Sequence, residues 1–277
     1  MPDFSNSPAL VAVRVAERHR RFLVVIRAGS LPRPSLFRGP LPAVRNYDVA
    51  VNYFAVPHPD DIAFTSGEFV FAGGLSKYHA AKRILVESRL LDPYDGVLFL
   101  DEDVELHFDL SEFFEFCREK RFSIAQPSLT HHSAGAYRAT YYHPGYQFRL
   151  TNFVEVMAPF FAREFLQTMV QSFDLSISGW GLDVFWGSQL TERRSAAIID
   201  NFRMTHLRRP DPHHGPYYVY LRSIGVDWRS EFESIFTRLG ISEYPIRVKG
   251  GSQIVQCVTR QDIGLGESST ASAVSRD

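Results

Sequence analysis

The chain has 277 residues and a formal net charge of -1, with 45% apolar and 22% charged residues. These values are typical of a globular protein with a sizeable core, and they argue against binding nucleic acid through a general basic field. The apolar run at residues 22–26 ends at Arg27 and is too short to cross a bilayer. Cys117 and Cys257 show no metal-site spacing, and the chain begins without a secretory signal pattern. We therefore predict a cytoplasmic protein without a transmembrane segment.

Short apolar runs alternate with amphipathic stretches along the chain. The runs predict strands at residues 21–28, 47–55, 96–100, 122–126 and 153–160. The amphipathic stretches predict helices at residues 76–91, 111–121 and 162–172, and a Pro-rich loop is predicted at 31–42. This alternation indicates an α/β fold with a central, mostly parallel sheet flanked by helices. We predict one domain over residues 1–263 and a disordered, Ser- and Gly-rich tail over 264–277.

An acidic triplet, Asp101-Glu102-Asp103, follows the apolar run at residues 96–100. Carboxylates placed just beyond a buried strand emerge at the edge of the sheet where α/β folds usually bind ligands. Hard oxygen ligands suit Mg²⁺ or Mn²⁺, which keep some coordination positions for water and phosphate. Taken alone, the triplet is equally compatible with a solvated turn.

A second group of residues, SGWGLD at 178–183, offers two glycines for a tight turn, an apolar platform at Trp180 and a carboxylate at Asp183. The alternative is a helix start at which Asp183 stabilises the first turn. Further on, His206 is a lone histidine, and such residues are more often structural than ligands. We expect His206 to have a functional role only if the fold returns it to Asp103.

The order of these pieces resembles a known family. The pieces are KYHAAKR at 77–83, the acidic triplet, QPSL at 126–129, FVEVMAP at 153–159, GWGLD at 179–183 and His206. Together they resemble the plant and bacterial family called domain of unknown function 707, and that family is similar to the GT-A glycosyltransferases. The resemblance covers roughly residues 70–210, and the combination in this order is specific.

The resemblance implies a role for each residue of the metal site. Asp103 would bind Mn²⁺ or Mg²⁺ directly, and Asp101 would contact the ribose or reach the metal through water. His206 would complete the metal shell. Glu102, within the same motif, would help to hold the diphosphate of a nucleotide-sugar donor.

The resemblance also implies roles around the metal. Asp183 would take the proton from the acceptor hydroxyl in an inverting reaction. Arg27 and Ser30 lie where the base and ribose of the donor usually sit. Lys77 and Arg83 are weaker candidates for the diphosphate.

These expectations describe a metal-dependent glycosyltransferase that moves a sugar from a nucleotide-diphosphate donor, with a UDP-sugar favoured, to an unknown acceptor hydroxyl. Two alternatives stay open. Residues 97–104 also resemble the start of a haloacid-dehalogenase-like phosphatase with Asp101 as nucleophile, although Glu105 stands where that motif has Thr or Val. The 14% of aromatic residues could instead stack on sugar rings in a non-catalytic sugar-binding protein.

Overall fold

The computed structural model describes residues 7–14, 19–29, 41–56, 61–135, 137–191 and 195–248, and the backbone of 253–259. Ser30, most of the Pro-rich segment 31–42 and the tail 264–277 lie outside the described residues. In the described part of the chain, every helix is too short or too polar to span a membrane. The predictions of one domain over 1–263 and of a cytoplasmic location stay predictions.

In the part of the chain that the structure describes, twelve strands form one sheet. They are Ala9–Val13 (β1), Phe22–Ala28 (β2), Tyr47–Tyr53 (β3), Phe69–Ala72 (β4), Gly96–Asp101 (β5), Val104–Leu106 (β6), Ile124–Leu129 (β7), Arg149–Thr151 (β8), Phe160–Ala162 (β9), Ala196–His206 (β10), Glu243–Val248 (β11) and Gln253–Thr259 (β12). The order is β1-β4-β3-β2-β5-β9-β7-β10-β8-β11-β12, and β6 pairs with β10 away from this path. Strands β4, β3, β2 and β5 run parallel, as do β7 and β10, so the predicted mostly parallel central sheet is confirmed. The remaining pairings, including those at both edges, are antiparallel.

Helices flank this sheet in the described residues. They are Ile62–Ser66 (α1), Lys77–Glu87 (α2), Leu110–Lys120 (α3), Arg163–Met169 (α4), Leu182–Ser188 (α5), Pro216–Ser223 (α6) and Trp228–Leu239 (α7). The predicted helices at 76–91, 111–121 and 162–172 correspond to α2, α3 and α4, with ends that differ by a few residues.

The strands β2 and β5 are continuous apolar runs because both of their faces are covered. Val24 and Ile26 pack into one hydrophobic cluster, whereas Leu23 and Val25 pack into another on the opposite face. Each fully buried side chain of this size contributes about 1.5–3 kcal/mol of transfer free energy. The parallel register pairs Asp101, the last residue of β5, with Arg27, one residue before the end of β2, so that Asp101 emerges at the same edge as the end of β2.

The strand predicted at 153–160 is wrong over most of its length. Only Phe160–Ala162 forms β9, and it runs antiparallel to β5. Residues 156 and 157 form a turn, which the extended backbone of a strand does not allow. The segment still contacts β5, because the Pro159 and Met157 carbonyls accept hydrogen bonds from Phe99 N and Asp101 N, both at 3.0 Å. The apolar composition of residues 153–159 therefore reflects burial against β5 rather than the formation of a β-strand.

Candidate functional site

The side chains of Asp101, Asp103 and His206 converge at one edge of the sheet and are called the acidic cluster below. Asp101 ends β5, Asp103 follows in a tight turn, and the chain continues into β6, which pairs antiparallel with the end of β10. This pairing places His206 opposite Val104, and His206 Nε2 lies 3.5 Å from Asp103 Oδ1. One potential ligand atom from each of Asp101, Asp103 and His206 lies within 4.8 Å of the others. The fold therefore brings His206 next to Asp103, which is the arrangement that a functional role of His206 requires.

The geometry of His206 suits a metal ligand. Its Nδ1 is 3.2 Å from the Ala134 carbonyl oxygen, to which it donates if it carries the proton, leaving Nε2 directed at Asp103. Ligating histidines usually have such an outer partner, because it fixes the ring and its tautomer. Burial acts to lower the pKa of His206, but the hydrogen bond and charge of Asp103 hold it above its ordinary value. Two carboxylates and an imidazole fit Mn²⁺ or Mg²⁺.

Lys77 supplies the positive charge beside Asp101. Its Nζ lies 2.9 Å from Asp101 Oδ1 and donates to the carbonyls of Val156 and Met157 at 2.7 and 2.8 Å. An ammonium group has three donors, so these contacts engage all of them. Burial lowers the pKa of Lys77 and raises that of Asp101 despite their attraction. Lys77 is therefore placed to hold the Asp101 side chain in position. A contact between Lys77 and a diphosphate stays a prediction.

Arg27 and Glu102 both form hydrogen bonds with backbone groups at the sheet edge where β2 ends. Arg27 donates to the Asn52 side chain and to the carbonyls of Gly73 and Gly74 at 3.0 and 2.6 Å. Burial lowers the pKa of Arg27 to about 10. Glu102 Oε2 accepts from the Gly29 amide at 2.6 Å. The Arg27 bonds therefore hold the loop after β4, and the Glu102 bond holds Gly29 next to Ser30, which lies outside the described residues. The roles of Arg27 and Ser30 at the base and ribose of a donor stay predictions.

Two predicted residues have their contacts elsewhere. Arg83 Nη1 donates to Glu87 at 3.1 Å, and its Nε lies 3.4 Å from His79, both on α2. Trp180 donates from its indole nitrogen to the Tyr218 hydroxyl at 3.1 Å and packs against Trp228 at 4.7 Å between ring centroids. Within the described contacts, neither side chain joins the acidic cluster, so their substrate contacts stay predictions.

Asp183 lies in the first turn of α5, after Gly181 with φ of 84°. A Cβ at Gly181 would lie 3.0 Å from Ile235, so both the left-handed backbone and the close packing favour glycine. The Asp183 side chain is buried and accepts from the Val184 amide at 2.8 Å. Burial raises its pKa to about 7. The position of Asp183 is therefore compatible both with stabilising the first turn of α5 and with acting as a general base.

The chain is similar to a known protein family. The profile of the family described as Protein of unknown function (DUF707) matches residues 66–213, which is more than half of the chain. The chain belongs to this family. No curated protein matches the chain.

One solved structure relates the fold of the DUF707 protein to a known fold. The crystal structure of GalNAc-T7 with UDP, GalNAc and Mn²⁺ is similar with a TM-score of 0.51 and 14% identity, covering 79% of this chain and 50% of that one. The DUF707 protein thus spans about half the length of that structure. A197 from STIV gives a TM-score of 0.37 and 17% identity, covering 70% of this chain and 100% of that one. The first likeness, which concerns the fold alone, confirms the GT-A resemblance.

The DUF707 protein also has a buried acid near this site to which the sequence had given no role. Glu155 is 5% exposed, and the Thr140 hydroxyl donates to its Oε1. Burial raises the pKa of Glu155 to about 7, even though the Thr140 hydrogen bond acts to lower it. The signal was present in the sequence, because Glu155 is a single acid within the apolar run FVEVMAP.

Proposed function

We propose that this protein is a metal-dependent glycosyltransferase that moves a sugar from a nucleoside-diphosphate donor, with a UDP-sugar favoured, to an acceptor hydroxyl. The convergence of Asp101, Asp103 and His206 at the edge of a GT-A-like sheet is the observation that carries this proposal. The GalNAc-T7 structure of similar fold contains UDP, GalNAc and Mn²⁺, which supports the choice of donor and metal.

In this proposal, Asp101, Asp103 and His206 hold Mn²⁺ or Mg²⁺ against the diphosphate. A bound divalent cation stabilises the charge that develops on the diphosphate when the bond to the sugar breaks. Lys77 keeps Asp101 in place through its contacts with the Val156 and Met157 carbonyls. Arg27 orders the loop after β4 and Glu102 orders Gly29 after β2, at the sheet edge that receives the nucleoside.

Asp183 is the proposed base that accepts the proton of the acceptor hydroxyl. A base is most effective when its pKa is near the working pH, and the pKa of about 7 for Asp183 meets this requirement. Removal of the proton makes the acceptor oxygen a better nucleophile. This oxygen forms a bond to the anomeric carbon on the face opposite the departing nucleoside diphosphate, whose bond to the sugar breaks, and the configuration is inverted. If configuration is retained, Asp183 positions the acceptor instead.

Titration calorimetry of UDP tests this proposal. UDP should bind in the presence of Mn²⁺ or Mg²⁺ and lose most of its affinity in EDTA. Asp103→Asn should abolish the metal dependence, whereas Asp92→Asn, at an exposed position, is the matched control. Equal UDP affinity with and without metal would contradict the metal assignment.

A second assay separates the proposal from its alternatives. Release of UDP from a UDP-sugar is expected of a glycosyltransferase. A phosphatase needs no sugar donor, and a non-catalytic sugar-binding protein turns nothing over. Failure of every nucleotide sugar to release its nucleotide, with or without sugar acceptors, would favour one of these alternatives.

A further inference from the structure

The backbone of residues 153–159 lies along the proposed metal site. The carbonyls of Val156 and Met157 accept from Lys77 Nζ, which contacts Asp101. The Tyr78 hydroxyl also donates to the Val156 carbonyl, at 2.5 Å, and Asp101 N donates to Met157 O at 3.0 Å. The residue just before this anchored pair is Glu155, so its backbone is fixed close to the acidic cluster.

Both the backbone and the side chain of Glu155 are held in place. The Glu155 amide donates to Gln126 Oε1 at 2.5 Å, and the Thr140 hydroxyl donates to Glu155 Oε1. Thr140 adjoins Tyr141, whose hydroxyl donates to the Ser133 carbonyl at 3.0 Å, in the loop that also carries the partner of His206. A carboxylate can accept about four hydrogen bonds, so the bond from Thr140 leaves capacity for a ligand.

Helix α5 approaches the same segment from the side of the proposed base. Asp183 and Gly187 are four residues apart and share one face of the helix. A Cβ at Gly187 would lie 2.1 Å from the Asn152 carbonyl oxygen, which shows how closely this face packs on the chain leading to Glu155. Val184 and Phe153 belong to the same hydrophobic cluster. The charges of both Asp183 and His206 act on Glu155.

We propose that Glu155 binds hydroxyl groups of the sugar being transferred and thereby selects the donor. This inference rests on the proposed function, in which the metal site holds the diphosphate and Asp183 accepts the proton of the acceptor hydroxyl. The transferred sugar must then lie between the two, and residues 152–157 contact α5 at one end and Lys77 at the other. A buried carboxylate discriminates strongly between sugars, because a sugar without the matching hydroxyl leaves it unpaired.

The test compares affinities for UDP, UDP-glucose, UDP-galactose and their two N-acetylated counterparts, measured by calorimetry with Mn²⁺. In the wild type, at least one UDP-sugar should bind more tightly than UDP. Glu155→Gln keeps the shape of the side chain and its Thr140 partner but loses the charge and one acceptor atom. We expect it to weaken that UDP-sugar roughly tenfold or more. The affinity for UDP itself should stay unchanged.

Two further variants keep this test decisive. Glu155→Asp retains the charge but withdraws the carboxylate by one methylene, so it should change the ranking of the sugars. This variant replaces Glu155→Gln in the test if Glu155→Gln fails to fold. Thr140→Val removes the hydroxyl but leaves the carboxylate, and it should weaken the sugar preference less than Glu155→Gln does. If Glu155 only anchors Thr140, Glu155→Asp and Thr140→Val would each change the affinity for UDP and the affinity for the UDP-sugars by the same factor.

The outcomes separate this inference from the proposed function. A wild type that binds no UDP with Mn²⁺ would overturn the proposed function and this inference with it. A wild type that binds UDP with Mn²⁺ but does not distinguish the sugars would overturn the inference alone. The same conclusion would follow if folded Glu155→Gln and Glu155→Asp kept the wild-type sugar preference. Glu164→Gln, an exposed acid on α4, is the matched control.

Discussion

His206 Nε2 lies 3.5 Å from Asp103 Oδ1, although the two residues come from separate parts of the chain. The antiparallel pairing of β6 with the end of β10 produces this contact, and the Leu207 amide donates to the Asp103 carbonyl at 3.0 Å just beyond it. The imidazole and the carboxylate are therefore positioned by backbone hydrogen bonds. A small set of substitutions can test whether they act as one metal site.

The first prediction is that His206→Ala and Asp103→Ala both weaken Mn²⁺-dependent UDP binding, because both side chains are proposed to touch the same ion. The double variant should be little worse than either single variant, since residues that share one ligand are not additive. Calorimetry at several Mn²⁺ concentrations measures this. His132→Ala, at an exposed position, is the control. Unchanged metal dependence in His206→Ala would return this histidine to a structural role.

The second prediction concerns turnover in Asp183→Asn. Asn has nearly the same shape but cannot accept a proton as a base, so the variant should lose roughly 10²–10⁴ in rate. This loss corresponds to about 3 to 5 kcal/mol of transition-state stabilisation. UDP affinity should change little. Steady-state kinetics alongside the melting temperature provide the measurement, and near-normal transfer by a folded variant would leave Asp183 as a helix-start residue.

The third prediction is that Asp183 makes stability depend on pH. Its pKa is raised by burial to about 7 in the folded protein, so the folded state holds this proton more tightly than the unfolded state does. The associated stability is fully present below the unfolded pKa of about 4 and is lost as pH rises through about 7. The loss approaches roughly 4 kcal/mol above pH 8.

Asp183→Asn lacks this titration, so its unfolding free energy relative to the wild type should rise between pH 5 and pH 8. Urea unfolding in EDTA at both values measures the difference. Asp92→Asn, at an exposed position, should show no such change. A constant difference between Asp183→Asn and the wild type would show that burial does not perturb this carboxyl.

The fourth prediction is that Lys77→Met destabilises the protein by roughly 2 to 4 kcal/mol, because two backbone carbonyls lose charge-assisted hydrogen bonds. The lost pair with Asp101 adds little, since that carboxylate is one-third exposed. Lys82→Met is the control. Its ammonium contacts an exposed carboxylate on Asp174, so its loss should cost less than about 1 kcal/mol. Equal effects in the two variants would contradict the supporting role of Lys77.

Some sequence predictions held because they depend on local pattern. The amphipathic pattern at residues 76–91 predicts a helix, and the structure has α2 there with Ala80, Ala81, Ile84 and Leu85 buried. The segment FVEVMAP was predicted as a strand and is mostly irregular, because short apolar runs indicate burial but not backbone conformation. Lys77 shows a related limit, since the family resemblance suggests a contact with the diphosphate but does not reveal the two carbonyls that Lys77 engages.

The sequence by itself determined that Asp101 follows a buried strand and emerges at a sheet edge, because a continuous apolar run ending in acids has few other ways to fold. Only the tertiary structure decided which residues join it. His206 reaches Asp103 through the pairing of β6 with β10, and the charge of Asp183 acts on Glu155 because α5 packs on the segment before Glu155. Such contacts arise from strand register and helix packing between distant segments, which residue type and local spacing do not specify.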